Sequence, residues 1–223
     1  MQEIREKLIQ QGAKLVGFCE LKEPPLKDLP NLKYAISIAV KLSDSILSTI
    51  KDKPTISYFQ HYRTANYKLN QLAFSCVGIL EDLGYNAFPI AASQSDNTDG
   101  VEYRGVFPHK TAARLSGLGF IGKSGLLLTQ KYGSKVRFAT VLTDMPLKAD
   151  LPILENMCKG CTICEKACPG GAISGKIYQE GMSREDFFDA EKCSHNMKNY
   201  MDIGRGAVCG ICISVCPYNR LKI

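Results

Sequence analysis

The chain has 223 residues, 45% hydrophobic and 22% charged, with a formal net charge of +6. These values fit a globular protein of one large domain or a medium domain with a small appendage. No apolar run approaches the roughly 20 residues of a membrane helix, and the polar, mixed-charge start Met1–Lys7 is not a secretory signal, so a cytoplasmic protein without membrane attachment is expected.

In chain order, Ile4, Leu8 and Ile9 recur at helical spacing and Gly12 follows as a stop, predicting a helix over 2–11. Strands are predicted over 15–19 and 34–40, the second buried on both sides. From Ile56 to Leu83 apolar residues fall every three or four positions, the pattern of a long amphipathic helix closed by Gly84. A strand over 86–91 and a helix over 110–115 come next. They lead into the glycine-rich turn Gly117-Leu-Gly-Phe-Ile-Gly-Lys-Ser-Gly125. Segments 126–129 and 136–143, joined by Lys131-Tyr-Gly-Ser134, are expected to pair as a β-hairpin. The prolines and aspartates of 144–152 suggest a boundary, giving a first domain over 1–150 and a second over 151–223.

Ten cysteines divide the chain more sharply than its composition does. Cys19 and Cys76 stand alone in the first part and are expected to be small buried hydrophobes. The other eight lie between Cys158 and Cys216, and without an export signal such a cluster points to metal rather than disulfides. Cys158-Lys-Gly-Cys161-Thr-Ile-Cys164-Glu-Lys-Ala-Cys168-Pro169 is the C-x2-C-x2-C-x3-C-P run of two-cluster ferredoxins, whose fourth cysteine ligates the other cluster. Cys209-Gly-Ile-Cys212-Ile-Ser-Val-Cys216-Pro217 lacks one cysteine of that run, which Cys193 can supply. The crossover rule assigns Cys158, Cys161, Cys164 and Cys216 to one [4Fe–4S] cluster. Cys168, Cys193, Cys209 and Cys212 fall to the other. Structural zinc also uses C-x2-C pairs but lacks the third close cysteine and the C-x3-C-P ending.

The stretch from His109 to Thr129 with its G-L-G-F-I-G-K core, then Lys131-Tyr-Gly-Ser134, then the eight cysteines ending Cys216-Pro-Tyr-Asn-Arg220, resembles epoxyqueuosine reductase. That family resembles the reductive dehalogenases and uses cobalamin with two [4Fe–4S] clusters to turn an epoxide on a modified tRNA base into an alkene. The resemblance implies an α+β chain. In it, a nitroreductase-related, cobalamin-binding-like α/β domain precedes a bacterial ferredoxin-like domain with two [4Fe–4S] clusters. It also implies cobalamin contacts at Gly119, Lys123, Leu127, Phe138, His195, Cys209 and Gly210. Where the family carries a proton-donating aspartate, counting back from Gly117 reaches Tyr103, with Glu102 beside it.

Three functions are weighed. In the first, an external donor of ferredoxin or flavodoxin type sends electrons through both clusters to a cofactor, cobalamin, for a reductive reaction. In the second, the chain is a non-catalytic carrier that reduces a separate corrinoid protein, a reading favoured by the absent aspartate. The third is tRNA epoxyqueuosine reduction itself. No basic run supports a nucleic-acid surface, the densest cluster being 131–137, so nucleic acid is not an expected partner.

Overall fold

The computed structural model describes residues 1–96, 103–153, 155–203 and 208–220. Its contacts group into two units. The first comprises Met1–Lys41, Ala65–Gly119 and Val136–Ile153, and the second Leu42–Thr64, Phe120–Lys135 and Leu154–Ile223. This grouping cuts across the expected boundary near residue 150. Segments 42–64 and 120–135 associate with the cysteine-bearing part because their side chains find partners there.

The first unit is built on an antiparallel sheet. Strands β1 (Leu15–Glu20), β2 (Tyr34–Lys41), β3 (Ala87–Ile90) and β6 (Val136–Thr143) lie in the order β1-β2-β6-β3. Ala35 to Val40 of β2 are all buried, as a central strand requires. Pro89, which has no N–H for a ladder, sits in the edge strand β3. Helix α1 (Gln2–Gln10) packs beside β1. Helix α4 (His109–Leu115) lies across β1, β2 and β6 with Ala112 and Ala113 wholly buried. The approach is close enough that a Cβ on Gly17 would stand 2.8 Å from Ser116 oxygens. Small residues on both sides therefore set the helix–sheet spacing. Beneath α4, Cys19, Leu32, Ala35, Ile90, Phe107 and Leu142 form one cluster.

Helix α3 (Ile56–Asp82) runs 27 residues and buries Leu69, Leu72, Ala73, Cys76 and Leu80 at the expected spacing, leaving Phe74 75% exposed. Its end is a Schellman motif. Gly84, at φ 86°, donates to Glu81 O while Tyr85 donates to Leu80 O. Gly117 ends α4 in the same way, with Leu118 donating to Ala113 O. The thiols of Cys19 and Cys76 are both pushed up to about 12 by burial, in keeping with small apolar side chains.

One pairing differs from expectation. β6 joins the four-stranded sheet, whereas β5 (Leu127–Thr129) pairs with β4 (Gly119–Ile121) in a separate two-stranded ribbon. The glycine-rich segment is thus a tight β-turn, closed by Gly122 N–H to Leu126 O at 2.9 Å and Gly125 N–H to Gly122 O at 2.9 Å. The long apolar β6 gains more by pairing along all of β2 than it could from the three residues of β5.

The second unit carries little regular structure. It holds α2 (Asp44–Leu47), the first turns of α3, the β4–β5 ribbon from Phe120, and the helices α5 (Ile163–Ala167), α6 (Ala190–Lys198) and α7 (Ile211–Ser214). Segments 42–64 and 120–135 are fastened by Leu42 N–H to Lys135 O (2.9 Å) and by the Lys135–Asp44 ion pair (2.6 Å).

His109 ties the first unit together: Nδ1 lies 2.9 Å from Thr140 Oγ1 and Nε2 lies 3.2 Å from the Ala91 carbonyl. Burial, aided by the charge of Arg137, pushes its pKa down to about 4. Because the folded value is depressed, the stabilisation is complete above the unfolded value near 6.5 and disappears as pH falls toward 4. Urea titrations should show on the order of 3 kcal/mol lost across that window, and a smaller loss in His109→Gln. On α3, Leu69→Ala should cost about 2–5 kcal/mol in the same assay, whereas Phe74→Ala should stay within about 0.5 kcal/mol.

Candidate metal centre

The eight clustered cysteines all lie in the second unit, are all half-buried, and are all free thiols. Their mutual electrostatics sort them into two sets. Burial first, then the neighbouring sulfurs of Cys158, Cys216 and Cys161, pushes the Cys164 thiol up to about 11. Cys216 likewise feels Cys158 and Cys161. Burial, followed by Cys209 and Cys168, pushes Cys193 up to about 11, and Cys209 also feels Cys168. Cys212 is raised chiefly by burial and then by Cys209 and Cys193, with Cys164 and Cys168 contributing less. Cys164 and Cys216 thus bear chiefly on the sulfurs of the first expected set and Cys193 and Cys209 on those of the second, while Cys212 senses Cys164 as well. Cys168 acts on Cys193, Cys209 and Cys212, all distant from it in sequence.

The surroundings suit sulfur ligands carrying negative charge. Backbone N–H groups point at them: Ala172 at Cys168 (3.3 Å), Lys123 at Cys158, Glu165 at Cys164, Ile211 at Cys209 and Tyr218 at Cys216. Such donors stabilise thiolate and bridging sulfide alike. Among the described residues no three His, Cys, Asp or Glu side chains gather tightly enough to hold one metal ion. The donor set fits two [4Fe–4S] clusters.

The β4–β5 ribbon forms one wall of the first set. Phe120, Leu128 and Tyr218 pack together and against Cys158 and Cys216, with the Phe120 and Tyr218 rings edge-on at 5.4 Å. A Cβ on Gly122 would stand 2.7 Å from Leu128 Cδ1 and 3.2 Å from Cys158 Sγ, so only glycine passes here without displacement. Asn156 bridges β4 and the cysteine-bearing turn: Nδ2 donates to Ile121 O at 2.9 Å and Oδ1 accepts from Cys158 N–H at 3.0 Å. The segment 131–134 meets the C-P-Y-N-R segment through Asn219, whose Oδ1 accepts from Ser134 N–H at 2.9 Å and Oγ–H at 3.0 Å. Ser134 also hydrogen-bonds the Cys216 sulfur. These side chains escape a reading of the sequence that looks only at cysteines, although the motifs containing them are visible.

The other candidate residues are placed as follows. Tyr103 lies in the first unit, half-buried in a turn at φ 60°, and Glu102 lies outside the described residues. Gly119 and Phe138 also belong to the first unit and are buried. Lys123 and Leu127 are buried in the second, and Lys123 Nζ donates to Cys161 O at 3.0 Å. His195 is exposed on α6 and lines a cleft of about 510 Å³ together with Pro169, Gly170, Asp189, Lys192 and Asn196. Gly210, at φ 78°, is closely approached by protein: a Cβ there would stand 2.6 Å from the buried Tyr58 ring. Gly125 is met likewise by Phe188.

A 4Fe-4S double cluster binding domain matches residues 157–219. A tetrachloroethene reductive dehalogenase of Desulfitobacterium hafniense is 28% identical over 197 residues, covering 83% of this chain and 33% of that protein. The epoxyqueuosine reductase of Listeria monocytogenes is 36% identical over 115 residues, covering 48% of this chain and 28% of the enzyme. The chain thus spans about a third of the length of the curated relatives it matches. Among solved structures, a reductive dehalogenase described in terms of B12-dependent dehalogenation superimposes with a TM-score of 0.78 at 23% identity. It covers 98% of this chain and 31% of its own. The epoxyqueuosine reductase of Streptococcus thermophilus gives 0.65 at 20% identity, covering 99% and 66%. These likenesses show a shared fold of mixed helix and sheet.

Crossed grouping has a direct test. In anaerobically reconstituted protein, Cys168→Ser should spoil the spectrum of the cluster associated with Cys209 and Cys212 and leave the other intact, with iron falling toward about four per chain. Loss confined to the cluster of Cys161 and Cys164 would contradict it.

Proposed function

We propose that this chain, a homologue of epoxyqueuosine reductases and reductive dehalogenases, is an iron–sulfur redox protein that passes electrons through two [4Fe–4S] clusters to cobalamin for a reductive reaction. The observation that carries the reading is a unit holding eight free thiols that bear on one another, in a segment matching a 4Fe-4S double cluster binding domain. Cys158, Cys161, Cys164 and Cys216 would hold one cluster, and Cys168, Cys193, Cys209 and Cys212 the other. Bound clusters exchange single electrons, and a corrinoid's cobalt carries out the substrate chemistry. The chain's own residues supply the setting: N–H groups on the sulfurs and an apolar wall of Phe120, Leu128 and Tyr218 that keeps water from Cys158 and Cys216. The electron source is a donor of ferredoxin or flavodoxin type in the cytoplasm, where thiols stay reduced.

Support for cobalamin comes from the B12-dependent dehalogenation of a structural neighbour. A second reading is favoured by a specific observation. Lys123, Leu127 and Phe138 are covered by protein, and the close approaches at Gly125 and Gly210 are taken by Phe188 and Tyr58. Those positions then serve the fold, and the chain is an electron carrier that reduces a separate corrinoid protein. Epoxyqueuosine reduction would require Tyr103 to donate the proton, a weaker acid than the family's carboxyl group.

One preparation separates these readings. Anaerobic protein should contain about eight iron atoms per chain. Added cobalamin should be retained in stoichiometric amount on gel filtration, with its visible spectrum changed when dithionite reduces the clusters. Eight irons without retained cobalamin would favour the carrier, and stoichiometric zinc with little iron would sink both readings.

A further inference from the structure

We propose that Lys123 is the buried counter-charge of the cluster held by Cys158, Cys161, Cys164 and Cys216, raising that cluster's reduction potential above its neighbour's. The proposal rests on the iron–sulfur reading above and adds an order to the two clusters.

Lysine is rarely buried without a partner, because an ammonium taken out of water must be compensated. Lys123 is only 7% exposed. Its Nζ donates to the Cys161 carbonyl at 3.0 Å, a neutral dipole, and among the described residues no carboxylate lies within ion-pair distance of it. The negative charge that would balance it belongs to the sulfurs. The Lys123 N–H donates to the Cys158 sulfur, and its side-chain cation acts on the same atom. One residue thus contacts two of the four thiol-bearing residues, with its backbone at one and its ammonium at the next.

The placement is built rather than incidental. Gly122 lets the chain pass beside Cys158 Sγ, where a Cβ would stand 3.2 Å away. The tight turn of the β4–β5 ribbon fixes the following residue, and Asn156 clamps Ile121 to the backbone of Cys158. Phe120, Leu128 and Tyr218 keep the surroundings apolar, so the charge is poorly screened and its effect on a neighbouring charge is correspondingly large.

The other set has a different environment. Among the described residues, a carboxylate, that of Asp189, acts on Cys193 and is itself paired with the exposed Lys192 at 3.5 Å. A buried cation favours the more negative, reduced form of a cluster, and a carboxylate disfavours it. The added electron therefore settles on the cluster beside Lys123, and electrons run toward it from the cluster of Cys168, Cys193, Cys209 and Cys212.

The test uses cluster-loaded full-length protein, titrated with dithionite and followed by electron paramagnetic resonance, for the wild type and for K123R, K123Q and K123M. Reduction of one cluster should become at least about tenfold less favourable in K123Q and K123M, a potential lower by about 59 mV or more for one electron, with the other cluster unmoved. K123R, which keeps the charge, should stay close to wild type. Unchanged potentials in K123Q and K123M, equal shifts of both clusters, or a K123R shift matching K123Q would overturn the proposal. Should K123Q and K123M assemble only one cluster, retention of both by K123R supports a requirement for charge, and their loss in K123R as well refutes it. Iron analysis of the wild type comes first. Failure to load two clusters there would strike at the iron–sulfur reading, whereas two clusters indifferent to Lys123 would strike at this proposal alone.

Discussion

Eight half-buried thiols in one small unit are the constraint around which the second unit is organised. Each would have to lose a proton to serve as a ligand, and burial together with neighbouring sulfurs opposes that loss for Cys164, Cys193 and Cys212 among others. Iron would remove the conflict by binding the thiolates, and metal binding then adds to folding free energy. The scarcity of regular structure follows from the same cause. Helices α5 and α7 have five and four residues, too short to be stable alone, and they serve to present cysteines to a common centre.

The β4–β5 ribbon shows how sequence-distant residues complete such a centre. Its segment precedes the first clustered cysteine by some thirty residues, yet Phe120, Gly122, Lys123 and Leu128 all face the first thiol set. The loop 131–134 adds Ser134 at Cys216, held by Asn219 from the last cysteine-proline segment. The glycine-rich turn is shaped in part for the protein's own sulfur and aromatic atoms, Gly122 beside Cys158 and Gly125 beside Phe188. Charge, packing and backbone geometry there answer to one demand, a dry wall beside negatively charged ligands.

Much of this was legible in the sequence, and the unread part has physical reasons. Helix α3 announced itself through apolar residues from Leu69 to Leu80 and through Gly84, since local spacing and a left-handed stop are properties of contiguous residues. The double-cluster module was legible because the C-x2-C-x2-C-x3-C-P run is contiguous, and a 4Fe-4S double cluster binding domain matches residues 157–219. Strand partners were not: Val136–Thr143 looked like the second arm of a hairpin, but β2 and β3 compete for it from elsewhere in the chain. The grouping of segments 42–64 and 120–135 with the cysteine-bearing part is likewise set by residues far apart in the chain, such as Ser134 and Asn219. That Lys123 Nζ reaches the Cys161 carbonyl is not legible in its neighbourhood, because the two residues lie 38 positions apart.

The crossed grouping of the thiols bears on the order in which the protein can be completed. Cys164 lies by Cys216, and Cys168 by Cys193 and Cys209, so each set draws on residues far apart along the chain. A ribosome that has released Cys168 has delivered three ligands of one set and a single ligand of the other, and neither set can close until the segment 209–216 has emerged. Until then the reduced thiols wait in a partly formed unit, open to oxygen and stray metals. A chain interrupted before Cys209 would therefore hold no complete set of four, which ties the completion of either cluster to the synthesis of the last cysteine segment.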